Sequence, residues 1–162
     1  MKKKDDSFER GPGDILQCLQ VKMPGILAKR PVMLAYAYGS VVEGTASPSS
    51  DVDIGLVLGP NSGLSSYERM QLEFDIAAEV EDLCGIREAD VRSIDKAPLT
   101  VQGMVVSDGR LVYSCDEEFR VEYEVRTRKL YFDFMPVMEM MRKAFFERVK
   151  TEGFTGGKTR QS

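Results

Sequence analysis

Two short apolar runs joined by a turn constrain this chain more than any other stretch. The turn carries Gly39-Ser40 at its start and Asp51-Val52-Asp53 at its end. The first run, Val32-Met33-Leu34-Ala35-Tyr36-Ala37-Tyr38, is rich in β-formers and free of charge. The second, Val52-Asp53-Ile54-Gly55-Leu56-Val57-Leu58, reads the same way apart from Asp53. Between them Glu43 to Ser50 is mostly turn chemistry. The pattern predicts strand, turn, strand, with strands at 32–38 and 51–58. Side chains alternate across a strand, so Asp51 and Asp53 share one face and Gly55 leaves space beyond them. Val52, Ile54, Leu56 and Leu58 form an apolar surface on the other. Two carboxylates so placed can share hard cations such as Mg²⁺. A bare D-x-D is also an ordinary turn signal. The Gly-Ser pair, the spacing of ten residues and the flanking strands give this one its meaning.

Composition narrows the chemistry. The 162 residues fit one domain, and 43% hydrophobic with 30% charged residues is usual for a globular chain. A net charge of −4 gives no broad footprint for nucleic acid, which is therefore not expected as a direct ligand. No apolar stretch approaches the roughly 20 residues that span a bilayer, so no membrane partner is expected. Met1-Lys2-Lys3-Lys4-Asp5-Asp6 has no apolar h-region to follow it and does not read as a signal peptide. Cys18, Cys84 and Cys115 are isolated, odd in number and form no C-x-x-C. They are expected as small core residues in a reducing cytoplasm, without a disulfide or zinc framework. The chain contains no histidine, which removes histidine triads, H-E-x-x-H sites and any histidine base. A carboxylate is left as the proton acceptor.

The remaining elements follow in order. Asp14 can cap a helix to about Lys22, which Pro24-Gly25 should interrupt. A helix from Ser65 or Ser66 to about Leu83 should bury Met70, Phe74, Ala77 and Leu83, with Ile76 and Val80 beside them. Its acids Glu73, Glu79, Glu81 and Asp82 read as a solvated face, and Gly85 as its stop. A third strand is expected at 87–94, with Asp90, Arg92 and Ile94 on one face. Asp95 reads as the cap of a short helix to about Val106. Arg110–Ser114 reads as a fourth strand. A helix from Asp116 to about Phe134 should kink or end at Pro136, and a last amphipathic helix should run to about Lys150. Residues 1–13 and 151–162 are expected as disordered tails.

Asp90 completes the acidic pattern. A charged residue in mid-strand either lies in water on an edge or faces Asp51 and Asp53. In the second arrangement the carboxylates repel, each pair by roughly 4 kcal/mol at about 4 Å and an effective dielectric near 20. Two Mg²⁺ ions would relieve that repulsion and clamp a nucleoside triphosphate for attack at its α-phosphorus.

These residues (Gly39-Ser40, Asp51-Val52-Asp53 and Asp90) resemble the polymerase-β-like nucleotidyltransferase superfamily. The chain's size, the segment Val91–Pro98, the turn-strand Asp108–Tyr113 and the final helices are similar to its minimal nucleotidyltransferase (MNT) branch, over roughly residues 14 to 150. The resemblance implies an α+β fold, a small mixed β-sheet flanked by helices, with C-terminal helices in the same 14–150 domain. It also implies transfer of AMP from ATP, with two Mg²⁺, to a tyrosine on a HEPN-domain toxin, the chain acting as its antitoxin. By position, Gly39 permits close backbone approach and Ser40 holds phosphates. Asp51, Asp53 and Asp90 bind metal, and Asp90 helps take the proton of the attacking hydroxyl. Arg92 on the Asp90 face is a candidate for nucleotide binding, and the positive charge there can come from Arg92, from Lys96 just beyond it or from the partner. The turn departs from the family's x-Ala-Arg-Gly, reading Val41-Val42-Glu43-Gly44. Glu43 in place of the arginine favours a second reading, an antitoxin that acts by contact with little or no catalysis. A third is a small-molecule nucleotidyltransferase of the aminoglycoside-modifying kind. A homo-oligomer is left open.

Overall fold

The computed structural model describes residues 11–47 and 49–153. Nine elements follow one another: α1 (Pro12–Leu27), β1 (Val32–Tyr38), α2 (Ser40–Glu43), β2 (Val52–Leu58), α3 (Ser66–Cys84), β3 (Ala89–Ser93), α4 (Leu99–Asp108), β4 (Arg110–Ser114) and α5 (Glu117–Glu152). The strands form one mixed sheet in the order β3-β2-β1-β4. β1 runs antiparallel to both β2 and β4, while β2 and β3 are parallel, joined by α3 as crossover. This is the α+β arrangement that the sequence predicts.

Strand alternation divides the interior into two cores. Val52, Ile54 and Leu56 of β2 pack with Leu19, Met23 and Leu27 of α1 and with Ile76, Val80 and Cys84 of α3. Val57 of β2 faces the other way, with Leu34 and Tyr36 of β1, Ile94, Val105 and Val106, and Tyr123 of α5. Burying each such side chain stabilises the fold by about 1.5–3 kcal/mol. The space expected over Gly55 is filled: a Cβ there would stand 3.2 Å from Ile94 and 3.3 Å from Val105. The second core also holds a charged cluster. The Tyr36 hydroxyl donates to buried Glu124 at 2.9 Å. Glu124 is in turn paired with Arg120 and Arg128, each at 3.0 Å. Burial, then the bond to Glu124, drives the Tyr36 phenol well above its ordinary value.

Several helices differ from expectation. α1 begins at Pro12, whose missing N–H suits a first helical position, and Asp14 sits a turn inside, accepting from the Gly11 amide at 3.3 Å. It also continues through Pro24, because Met23, Ile26 and Leu27 are buried on either side. That packing outweighs the lost hydrogen bond. α3 buries Ile76, Ala77, Val80 and Cys84, whereas Met70, Phe74 and Leu83 are exposed. The inward stripe is rotated from the expected one. Three of its supposedly solvated acids are engaged. Glu73 accepts from the Ser93 amide and hydroxyl at 2.7 and 2.6 Å. Glu81 accepts from the Ala89 amide at 2.8 Å, and Glu79 pairs with Arg30. The bonds of Glu73 and Glu81 dock α3 on β3, and that of Glu79 ties α3 to the loop before β1. α4 starts at Leu99 with Pro98 as its cap, so Asp95 is not a cap; it forms a two-pronged pair with Arg69 at 2.8 and 3.0 Å.

Two expected C-terminal helices are one. α5 runs 36 residues through Pro136. Its first half lies on α4 and β1, and Tyr131 fits against Gly103 of α4, where any Cβ would collide with the tyrosine. Phe132, Phe134, Met140, Met141, Phe145 and Phe146 are exposed. Cys18 and Cys84 are joined by a disulfide, with Cα atoms 5.8 Å apart, tying α1 to α3 across 66 residues of sequence. That overturns the expected absence of a disulfide; two cysteines so far apart in sequence are brought together only by the packing of the two helices. Of the tails, Pro12–Gly13 and Thr151–Glu152 are helical, and the rest of 1–13 and 151–162 lies outside the described residues, Gly11 and Gly153 apart. Among the described residues, no helix is long and apolar enough to cross a membrane.

Candidate active site

β1, β2 and β3 set three side chains in one row. Tyr38 is the cross-strand partner of Asp53, and Asp53 that of Asp90. Residues directly opposite on neighbouring strands share a face and stand about 4.5–5.5 Å apart at Cβ. Asp90 thus lies beside Asp53, but on an edge strand with its side chain partly open to water and paired with Arg92, so both expected arrangements hold in part. Asp51 stands just before β2 and is exposed, while Asp53 and Asp90 are half-buried. Burial raises the proton affinity of Asp53, and the charges of Asp90 and Asp51 raise it further. The Tyr38 phenol is pushed up by burial, then by Asp53 and Asp90, with Arg92 opposing. Tyr38 was not among the residues predicted from sequence. Its place in the row depends on the β1–β2 register, which no local pattern reveals.

The turn meets the row at Gly39. This residue has φ +72°, and a Cβ on it would stand 2.6 Å from Asp53 Oδ2. Only glycine fits both the backbone and the carboxylate. Ser40 opens the single helical turn α2, and Gly44, at φ 74°, closes it. The Val42 and Glu43 amides both turn back to the Gly39 carbonyl, at 3.0 and 3.1 Å. Val41 is buried, anchoring the turn to the first core, while Glu43 is exposed.

Arg92 is two residues beyond Asp90 on β3, and its Nε donates to Asp90 Oδ1 at 2.8 Å. Arg92 is largely exposed, at 68%, and Asp90 about half, at 46%, so the pair is weak and readily exchanged. With Asp90 held there, no three acidic or cysteine side chains converge on one cation position among the described residues. The donors nonetheless suit a hard divalent cation: they are carboxylate oxygens, and the flank of Asp53 is left open by Gly39.

The chain matches the family model described as "Polymerase beta, Nucleotidyltransferase" over residues 22–118, which include Gly39, Ser40, Asp51, Asp53, Asp90 and Arg92. No curated protein matches it closely enough to count as a relative. Among solved structures it is similar to a tri-AMPylated Shewanella oneidensis HEPN toxin in complex with MNT antitoxin, at 19% identity and TM-score 0.57 over 83% of this chain and 98% of that one. A toxin-antitoxin structure with AMP-PNP is similar at 20% identity and TM-score 0.54, over 86% and 98% of the two chains. The toxin-antitoxin MntA-HepT is similar at 18% and 0.56, over 83% and 98%. At such identities the likeness is one of fold.

Proposed function

Because this chain belongs to the Polymerase beta nucleotidyltransferase family, we propose that it transfers AMP from ATP to a tyrosine hydroxyl of a HEPN-type toxin and thereby acts as its antitoxin. The observation that carries this reading is the row of Asp53 and Asp90 at the mouth of the Gly39–Ser40 turn. The similar toxin-antitoxin structures, one with an AMPylated toxin and one with AMP-PNP, support the choice of partner and nucleotide. Such a partnership fits a cytoplasmic setting.

Each residue has a task in the transfer. Gly39 lets the triphosphate approach the backbone, and the Ser40 hydroxyl donates to it. Asp51, Asp53 and Asp90 would hold two Mg²⁺, which supply charge neutralisation for the triphosphate when bound. Asp90 leaves Arg92 to take its place beside Asp53, and Arg92 turns to the phosphates. The acceptor hydroxyl gives its proton to a carboxylate, for which Asp90 is the candidate, as its oxygen bonds to the α-phosphorus. The bond from that phosphorus to the bridging oxygen breaks, and pyrophosphate leaves with the electron pair.

The test uses the chain, Mg²⁺, α-labelled ATP and a HEPN toxin. Label should pass to a toxin tyrosine with wild type, and Asp53→Asn should cut the rate at least a hundredfold while staying folded. Equal labelling by the variant would remove Asp53 from the chemistry. Glu43 and the Asp90–Arg92 pair favour a second reading, an antitoxin that neutralises by contact. Its mark would be neutralisation by wild type and Asp53→Asn alike, with no label on the toxin.

A further inference from the structure

A cavity of about 750 Å³ opens at the other end of β2 from the acids. Leu58 on its wall is five residues along the strand from Asp53, which places it roughly 17 Å away. The cavity lies past the carboxyl ends of β2 and β3, the parallel pair of the sheet. Ligands of open sheets bind in crevices at such ends.

Its lining is mixed in a specific way. Leu58, Leu64, Phe119 and Tyr123 make an apolar wall. The two rings are parallel within 9°, with centroids 6.2 Å apart. Arg69 also reaches the cavity, but its charge is already matched by Asp95. Lys96 and Arg126 stand at the rim from different elements, the loop after β3 and α5, so Lys96 lies at the far end of the sheet from the acids and not beside a nucleotide held there. Both are exposed, and neither has an ion-pair partner among the described residues. Arg120, Arg128 and Arg142 of α5 are paired with acids; Lys129 and Arg148 have no such partner among the described residues, but neither lines the cavity. Glu122 lies one helical turn before Arg126 and limits the excess positive charge to about one unit.

We propose that this cavity is a second ligand site, which takes a small planar organic anion: an aromatic or heteroaromatic ring bearing one carboxylate or phosphate group. The ring lies against the apolar wall, and the anion meets Lys96 and Arg126 at the rim. The volume is in the range of small-molecule sites.

The test is a titration of the full ¹⁵N-labelled chain with phenyl phosphate, and separately with benzoate and inorganic phosphate, followed by amide shifts. Phenyl phosphate or benzoate should give saturable shifts at Gly59, Gly63 and Lys96, the better of the two telling which anionic group the site prefers. Inorganic phosphate, lacking a ring, should not saturate there. The exposed double substitution Lys96→Glu with Arg126→Glu should raise the dissociation constant at least tenfold. Asp53→Asn, and Arg142→Glu with Lys143→Glu on the outer part of α5, should leave it unchanged. Shifts confined to Gly39 and Ser40 would overturn the proposal, as would an absence of saturable shifts with both ring compounds. An equal loss of affinity in the α5 control would also overturn it, because the attraction would then be general electrostatics.

Discussion

At Asp53 the fold holds a carboxylate under burial and the charges of Asp90 and Asp51. Its proton affinity is raised in the folded state, so the sign of the pH effect is fixed. The folded chain is relatively favoured while Asp53 is protonated. That advantage is lost as pH rises from the unfolded value, near 3.9, through the raised folded one. Metal-free Asp53→Asn should therefore melt above wild type at pH 7, and the gap should close toward pH 4. Mg²⁺ should raise the melting temperature of wild type more than that of the variant. Melting curves of both proteins with EDTA and with Mg²⁺, across this range, check each sign. Glu43 is the other residue with a clear expectation. It is exposed on α2, where the family pattern has an arginine. A charge-assisted bond to phosphate is worth roughly 1.5–3 kcal/mol. Glu43→Arg should tighten MgATP binding to the isolated chain by up to about a hundredfold, read by calorimetric titration. Unchanged or weaker binding would mean that this position faces away from the phosphates.

Gly103 and Tyr131 decide how α4 and α5 meet. A methyl at Gly103 would overlap the near end of the tyrosine side chain, so α5 itself must move. Overpacking costs about 1–3 kcal/mol, against roughly 1 that alanine gains over glycine inside a helix. Gly103→Ala should thus lower stability by up to about 2 kcal/mol, a fall of several degrees in thermal melting at that limit. Elements were legible in the sequence to different degrees. β1 and β4 form at the residues expected, because short apolar runs bounded by Gly, Ser and Asp leave little choice of length. The Asp53–Asp90 pairing was only half legible: strand alternation shows which residues of one strand share a face, but not the β2–β3 register, so the residues alone leave Asp90 two places. α3 was misread in rotation. Ile76, Ala77 and Val80 are buried as the pattern indicates, but Met70, Phe74 and Leu83 lie on the outer edge of the stripe and Cys84 on its inner one, because apolar side chains occur on both edges. Glu73 lies on the inward edge because Ser93 satisfies its carboxylate, a partner that local sequence does not disclose. Pro24 and Pro136 were taken as breaks, yet a proline removes one N–H without preventing the turns on either side.

As a whole the molecule is a sheet domain with a long helical arm. α5 has 36 residues, about 54 Å at 1.5 Å per residue, and its outer side chains touch little of the domain. Aromatic residues and Met are enriched at protein interfaces. Deleting residues 137–162 should leave MgATP binding within about twofold and the melting temperature within a few degrees, while toxin binding is lost. Co-elution with the toxin and a melting scan on the same sample read both. A collapse of stability would instead assign the arm to the core. The bond between Cys18 and Cys84 has a different reach. It closes a covalent ring that contains β1, the turn, β2 and all of α3, and therefore Gly39, Asp51 and Asp53, while Asp90 stays outside. Cutting the backbone beside the exposed residues Thr45, Ser47 or Ser49 opens that ring without dividing the molecule. A protease-nicked, oxidised chain should run as one species on a denaturing gel, and a thiol reductant should split it into two. Connectivity through sulfur would keep both halves of the strand–turn–strand in one molecule after the peptide chain itself is cut.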